Sequence, residues 1–169
     1  MTKLMDKIIF VSVMAMCLMI CANCFAASIK YKVIDGDSLE QGRSRIRLID
    51  IDAPELFQEC YNESKEKYNC GKVAYSVLKM LISKGADCKT KGVDKYKRKL
   101  MECFDENGNS INEKMVLSGW AVSYGDKFKR AENIAKEQKS GIWKGKFMRP
   151  ELYRALHMKQ KNSKKFKKR

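Results

Sequence analysis

Between residues 28 and 54 the hydrophobic pattern leaves little choice of local structure. Ile29, Tyr31 and Val33 alternate with Ser28, Lys30 and Lys32, the period of a strand with one buried face. Gly36 breaks that strand, and Asp37–Gln41 can continue it after a bend. Gln41-Gly42-Arg43-Ser44 then reads as a turn into a second strand. Up to Leu48 the apolar residues hold even positions (Ile46, Leu48) and the arginines odd ones (Arg45, Arg47). From Ile49 the apolar residues are odd (Ile49, Ile51) and the aspartates even (Asp50, Asp52). A one-residue slip would turn the strand over, so the pattern predicts a single β-bulge between Leu48 and Ile49. Such a bulge would put Arg45, Arg47, Asp50 and Asp52 on one face. Pro54 ends the strand.

From Asn69 the period becomes helical, with Val73, Val77, Leu78, Leu81 and Ile82 in one stripe closed near Gly85. Residues 86–91 and 98–104 read as a hairpin around Asp94-Lys95-Tyr96-Lys97. A turn centred between Lys95 and Tyr96 puts Cys88 opposite Cys103. Asp105–Asn109 is a further turn, and a short helix over Ile111–Ser118 stops at Gly119. Trp120–Tyr124 is extended, residues 127–139 are helical, Gly141-Ile142-Trp143 packs their end, and Pro150–Met158 forms a last short helix. Short strands broken by glycine turns, with a helix inserted, predict an α+β fold. Its expected form is a small five-stranded Greek-key barrel of the OB type with about three packed helices.

Lys3 and Lys7 precede an uncharged stretch over residues 8–29 that ends in Cys24-Phe25-Ala26-Ala27-Ser28. That order describes a secretory signal peptide over residues 1–27, with an uncleaved membrane anchor as the alternative. In both cases the following chain is exported, to the periplasm or the medium. Outside the leader four cysteines remain: Cys60, Cys70, Cys88 and Cys103. In an oxidising compartment they read as two disulfides with three possible pairings, among which proximity favours Cys60–Cys70 and Cys88–Cys103. Four buried thiols are the alternative. Zinc is disfavoured, since no C-x-x-C occurs and the single histidine, His157, is remote.

The chain has 35 Lys and Arg against 20 Asp and Glu, a net charge of +15. The leader supplies +1 and residues 159–169 supply +7, so the body from 28 to 158 carries +7 of its own. An excess of this size points to a polyanionic partner. Residues 159–169 have no apolar period and are expected to be a disordered basic tail.

Against this basic background, Asp35, Asp37, Asp50, Asp52 and Glu55 crowd between residues 35 and 55, interleaved with Arg43, Arg45 and Arg47. Carboxylates at such density repel unless a cation or arginines hold them. Oxygen donors suit a hard divalent ion, and calcium fits, although EF-hand spacing is absent. Surface salt bridges are the alternative.

Val33-Ile34-Asp35-Gly36-Asp37-Ser38, Arg47-Leu48-Ile49-Asp50-Ile51-Asp52-Ala53-Pro54-Glu55 and Asp94-Lys95-Tyr96-Lys97-Arg98 together resemble the three ordered motifs of the staphylococcal nuclease family. Gly119-Trp120-Ala121-Val122-Ser123-Tyr124 and Gly141-Ile142-Trp143 also fit, so the resemblance covers about residues 29–150. The four cysteines resemble a secreted bacterial branch. The resemblance implies an OB-fold, Ca²⁺-dependent phosphodiesterase cutting DNA and RNA to leave 3′-phosphate ends. It implies Asp37, Asp52 and the backbone carbonyl of Ala53 as Ca²⁺ ligands, with Asp35 behind them. Glu55 matches the general base, and Arg47 and Arg98 match the phosphate-binding arginines. Ser38 stands for the usual threonine and Lys97 for the usual glycine.

Tyr96 and Tyr124 could stack on bases, which favours single strands. Two other readings compete: a noncatalytic OB-type nucleic-acid binder, and a membrane-surface protein held by its basic tail. The acids argue for the enzyme, because five carboxylates would only hinder a module that merely binds a polyanion.

Overall fold

The computed structural model describes residues 31–166. The proposed leader, its cleavage site and residues 167–169 lie outside them. Nine strands form three sheets: β1 (Lys32–Val33), β2 (Ser38–Gln41), β3 (Ser44–Leu48), β4 (Ile51–Asp52), β5 (Glu59–Tyr61), β6 (Lys67–Asn69), β7 (Asp87–Val93), β8 (Lys99–Phe104) and β9 (Val122–Ser123). The main sheet has five strands in the order β1-β2-β3-β8-β7, and β4-β9 and β5-β6 form two smaller pairs. The β3–β8 pairing is parallel and its neighbours are antiparallel, so the sheet is mixed. Among the described residues four helices pack with it: α1 (Cys70–Ile82), α2 (Ile111–Leu117), α3 (Lys129–Glu137) and α4 (Pro150–Phe166), with a 3₁₀ turn at Gly141–Lys144. This is the expected α+β class, with four helices where about three were expected. Among the described residues no helix is long and apolar enough to cross a membrane.

The core forms where the inward residues of β2–β4 (Leu39, Ile46, Leu48, Ile51) meet Ala74 and Leu78 of α1. Helix α1 starts on Asn69, whose side chain accepts from the Lys72 amide, and α2 starts on Ser110, which accepts from Glu113. Each such cap satisfies one of the amides that a helix start leaves unpaired, a contribution of about 1 kcal/mol.

The phase slip at Leu48 is not a bulge. Strand β3 ends there, and Asp50 takes a left-handed conformation (φ 64°). The chain then enters β4, which pairs with β9 in a different sheet. The amide of Ile49 donates to the Met101 carbonyl at 2.9 Å. Asn112, fully buried, donates to the carbonyls of Ile49 and Met101 and accepts from the Cys103 amide. A change of sheet reverses side-chain parity as a bulge does, but it separates the charges. Arg45 faces solvent, and Asp50 lies 3.9 Å from Lys127 instead of joining Asp52.

Both disulfides, Cys60–Cys70 and Cys88–Cys103, join the neighbours in sequence. Cys88 pairs with Cys103 across the β7–β8 hairpin, although the turn is centred on Tyr96. The pairing is offset by one residue from Val93 to Gly92, and a bulge between Thr90 and Gly92 restores the register that meets the cysteines. The β5–β6 hairpin, stapled to the start of α1 by Cys60–Cys70, has no counterpart in the sequence reading. Its strands are three residues long. Helix α4 runs on to Phe166, into the segment expected to be a disordered tail.

Candidate active site

The two antiparallel strands β2 and β3 place Ser38 opposite Arg47. Asp37, the residue before β2, therefore lies beside Arg47. Its position is fixed from both ends: its carbonyl accepts from the Leu48 amide at 2.8 Å, and its amide donates to Asp35 Oδ1 at 3.0 Å. Gly36 makes this packing possible, because a Cβ there would lie 2.7 Å from that of Ala53 and 2.8 Å from that of Ala74. Strand β4 brings Asp52 to the other side of Arg47. The guanidinium donates from Nη1 to Asp37 Oδ1 and from Nη2 to Asp52 Oδ1, each at 2.8 Å. A further Nη2 contact of 3.4 Å reaches the Ile51 carbonyl. Asp37 also accepts from the Ala53 amide (2.9 Å) and the Ser38 hydroxyl (3.0 Å).

Asp37 and Asp52 are almost wholly buried, at 3% and 2% exposure. Burial pushes the Asp37 carboxyl up to about 7, against the pull of Arg47 and the Ala53 amide, with Asp35 and Asp52 adding repulsion. Burial lowers the affinity of Arg47 for its proton, but Asp37 and Asp52 more than offset this and hold it above its ordinary value. The pocket thus holds more negative charge than one guanidinium neutralises.

Glu55 lies just beyond Pro54, half-buried, on a turn held by Gln58. The Gln58 amide donates to the Glu55 carbonyl at 2.7 Å, and its buried side chain accepts from the Glu55 amide at 3.2 Å. The same side chain donates to the Met148 carbonyl at 2.7 Å, tying this turn to the segment before α4. From α4 comes a residue that the sequence reading did not single out. Arg154 donates from Nη1 to Asp52 Oδ1 (2.9 Å) and Glu55 Oε1 (2.8 Å), and from Nη2 to Asp52 Oδ2 (2.9 Å). Burial disfavours its charge, but Asp52 and Glu55 hold its proton more tightly than usual.

Asp35, Asp37, Arg47, Asp52, Ala53 and Glu55 are thus brought together. Arg98 has its own partners on the neighbouring strand's turn: its Nε donates to Asp94 Oδ2 at 2.8 Å, and its guanidinium lies 5.6 Å from the Tyr96 ring centre. Among the described residues, none of its ion pairs reaches Asp37, Asp52 or Glu55. The bond to Asp94 runs through Nε and leaves the two terminal nitrogens unspent on that carboxylate. The Asp94 side chain also accepts from the Tyr96 and Arg98 amides, and Lys97 completes the turn in a left-handed conformation (φ 63°). Tyr96 and Tyr124 are exposed, at 68% and 59%.

Among the described residues no three His, Cys, Asp or Glu side chains are arranged to hold a metal ion by themselves. An ion here would take the Asp37 and Asp52 carboxylates, a backbone carbonyl such as that of Ala53, and water. All of these are hard oxygen donors, and three carboxylates, Asp37, Asp52 and Glu55, against two guanidiniums, Arg47 and Arg154, leave an excess of negative charge that fits a divalent cation of the calcium type.

The profile of the family described as staphylococcal nuclease homologues matches residues 45–145. The chain belongs to this family. It is 36% identical over 118 residues to a protein of Rhizobium meliloti (strain 1021) named succinoglycan biosynthesis protein ExoI, covering 66% of this chain and 62% of that one. It is 30% identical over 132 residues to endonuclease YhcR of Bacillus subtilis (strain 168), covering 66% of this chain and 11% of that one. A further relative, named an uncharacterized endonuclease, from Escherichia coli O157:H7, is 30% identical over 123 residues. That alignment covers 66% of this chain and 73% of the relative. The chain therefore spans less than two thirds of the first two relatives. Membership of the nuclease family agrees with the OB-type fold, and the matched span contains the segments Arg47–Glu55 and Asp94–Arg98.

Proposed function

We propose that this chain is an exported nuclease, a Ca²⁺-dependent phosphodiesterase that hydrolyses DNA and RNA to products with 3′-phosphate ends. The observation that carries the reading is Arg47 bridging Asp37 and Asp52 with Glu55 joined to the same cluster. Two buried acids held on one guanidinium, beside a half-exposed acid, form a site rather than surface salt bridges. The two disulfides favour an oxidising compartment.

In this reading Asp37, Asp52 and the Ala53 carbonyl hold the ion. When bound, Ca²⁺ supplies positive charge against the phosphoryl oxygens as negative charge grows on them. Arg47 has five N–H groups, of which three are directed at Asp37, Asp52 and Ile51. One Nη1 hydrogen and the Nε hydrogen are left for a phosphate oxygen. Arg98 offers its terminal nitrogens to the same group, and fixed guanidiniums stabilise the charge that develops there. Glu55 takes a proton from a water whose oxygen attacks phosphorus. The bond from phosphorus to the 5′ oxygen breaks, that oxygen takes a proton from solvent, and the phosphate stays on the 3′ side. Exposed Tyr96 and Tyr124 offer faces for bases without sequence preference, favouring single strands.

The test is digestion of single- and double-stranded DNA and RNA by the chain freed of its leader, with Ca²⁺ and then with EGTA. Chelation should abolish cleavage, and Glu55→Gln or Arg98→Ala should reduce it by several orders of magnitude. Cleavage unchanged in both variants rejects the assigned roles, and nucleic-acid binding without any cleavage returns the noncatalytic reading.

A further inference from the structure

Arg154 stands in a position that the reaction does not require. It reaches Asp52 and Glu55 from α4, about a hundred residues along the chain, through three bonds of 2.8–2.9 Å. Both oxygens of Asp52 accept from it, and Oδ1 also accepts from Arg47. The side chain of Arg154 is one-third exposed while that of Asp52 is 2% exposed, so the guanidinium covers Asp52 from the solvent side.

Over its described side chains, helix α4 is lightly held. Pro150 is buried, but no residue from Glu151 to Lys159 is. Leu152, 57% exposed, lines an open apolar groove with Phe57, Phe147 and Met148, while Leu156 and Met158 are 46% and 67% exposed. Beyond Arg154, the side-chain hydrogen bond from the described residues of the helix to the domain is that of the Tyr153 hydroxyl, 3.4 Å from the Phe57 carbonyl. Over these residues the polar attachment of α4 is concentrated on Arg154, and it is made to the carboxylates assigned above to the ion and to the base.

We propose that Arg154 is the resident counter-cation of Asp52 and Glu55, and that α4 and a divalent cation compete for these carboxylates. The proposal rests on the ion site described under the proposed function. A guanidinium occupying both oxygens of Asp52 leaves an incoming ion to displace it or to share the ligand against direct charge repulsion. Displacement frees Glu55 from its bond to Arg154 and releases the helix. Arg154 thus sets the ion affinity and links the position of α4 to the state of the site.

The experiment is calorimetric titration of Ca²⁺ into the full chain without nucleic acid, in wild type, Arg154→Gln and Arg154→Lys. Hydrogen exchange at the amides of residues 151–158 is measured in parallel, with and without Ca²⁺. Arg154→Gln should bind Ca²⁺ at least about tenfold more tightly than wild type, and Arg154→Lys should remain closer to wild type. In wild type, Ca²⁺ should speed exchange along α4; in Arg154→Gln the helix should exchange fast without it. A merely structural arginine would weaken ion binding when removed, so a weaker Arg154→Gln overturns the proposal. Equal affinities in wild type and Arg154→Gln overturn the competition and leave the ion site standing. Absence of Ca²⁺ binding in every variant overturns both.

Discussion

Gly71 lies against the backbone of Glu55 so closely that a Cβ on it would fall 1.8 Å from the Glu55 carbonyl oxygen and 2.6 Å from the carbonyl carbon. The second residue of α1 is thus a floor for the turn that carries the proposed base. Gly71→Ala must push that turn away by more than an ångström. Overpacking of this kind costs about 1–3 kcal/mol, and a misplacement on this scale can cost about a hundredfold in rate. The expected outcome is a folded protein with kcat reduced far more than its melting temperature would suggest, measured by nuclease assay beside thermal melts. Wild-type kcat in Gly71→Ala would show that Glu55 is not held from this side.

Why this contact could not be read from the chain is physical. Periodicity reports which face of an element is buried, so the core stripe of α1 was legible, although Ala74 and not Val73 proved its innermost member beside Leu78 and Ile82. Local chemistry was legible too: the Asp94–Lys97 turn, the turn at Asp105 and the cysteine pairing follow from residues near one another. The clustering of Asp37, Arg47 and Asp52 needed only two adjacent strands and a short connection. What was hidden depends on distant segments. A strand changing sheets gives the same parity shift as a bulge, and only the partner, β9, distinguishes them. Gln58, Asn112 and Arg154 are single polar residues whose partners lie 90, 63 and 102 positions away, and no spacing rule marks them.

The bridge made by Arg47 requires a fork. Its two terminal nitrogens reach different carboxylates, each at 2.8 Å, and a single ammonium cannot reproduce that spacing. Arg47→Lys should therefore lose stability as well as activity: Asp52 keeps Arg154, but Asp37 has Arg47 as its ion-pair partner, and a lysine that turns to Asp52 leaves it without one. Uncompensated buried charge costs roughly 3–5 kcal/mol, and a partial replacement by lysine should fall at or below the lower end. Urea unfolding at neutral pH gives the number; a lysine variant as stable as wild type would mean the guanidinium geometry is dispensable to the fold.

The two disulfides should differ in what they control. Cys88–Cys103 joins neighbouring strands of one hairpin, over 15 residues, and its removal should cost about 3 kcal/mol in the chain-entropy picture. Cys60–Cys70 joins β5 to the residue before Gly71, and so braces the Glu55 turn from both sides. Replacing each pair by alanines should lower stability in both cases but reduce kcat, at a temperature where both variants are folded, chiefly for Cys60/Cys70. Equal kcat losses would refute the distinction.

Lys97 occupies a left-handed conformation (φ 63°) that costs an L-residue roughly 1–2 kcal/mol. Glycine would remove that cost but lose more backbone entropy on folding. Lys97→Gly should come out more stable by about 0.5–1 kcal/mol in urea unfolding, with the Asp94–Arg98 pairing kept. A destabilised variant would mean that the lysine side chain makes a contribution exceeding the backbone strain.

Glu132 is completely buried on α3 among Lys129, Lys136 and Arg149, whose nitrogens lie 3.1–3.3 Å from its carboxylate. Desolvation alone would raise its pKa, but the bond from Lys136 and the charges of Lys136, Arg149 and Lys129 prevail and hold it below the ordinary carboxylate range. A group depressed in the folded state contributes stability above its unfolded pKa, and loses that contribution as pH falls through the folded one. Glu132→Gln removes the charge while keeping the shape. Wild type should therefore exceed Glu132→Gln in stability at pH 6–7, by a modest margin, because the three cations left behind are 40–48% exposed and solvent screens them. Below the ordinary carboxylate range, near pH 4, the gap should narrow, and it should close as Glu132 itself takes up a proton. Unfolding of both proteins across that interval measures the gap directly. A difference that stays constant from pH 7 to pH 3 would place the stabilisation in packing instead of charge.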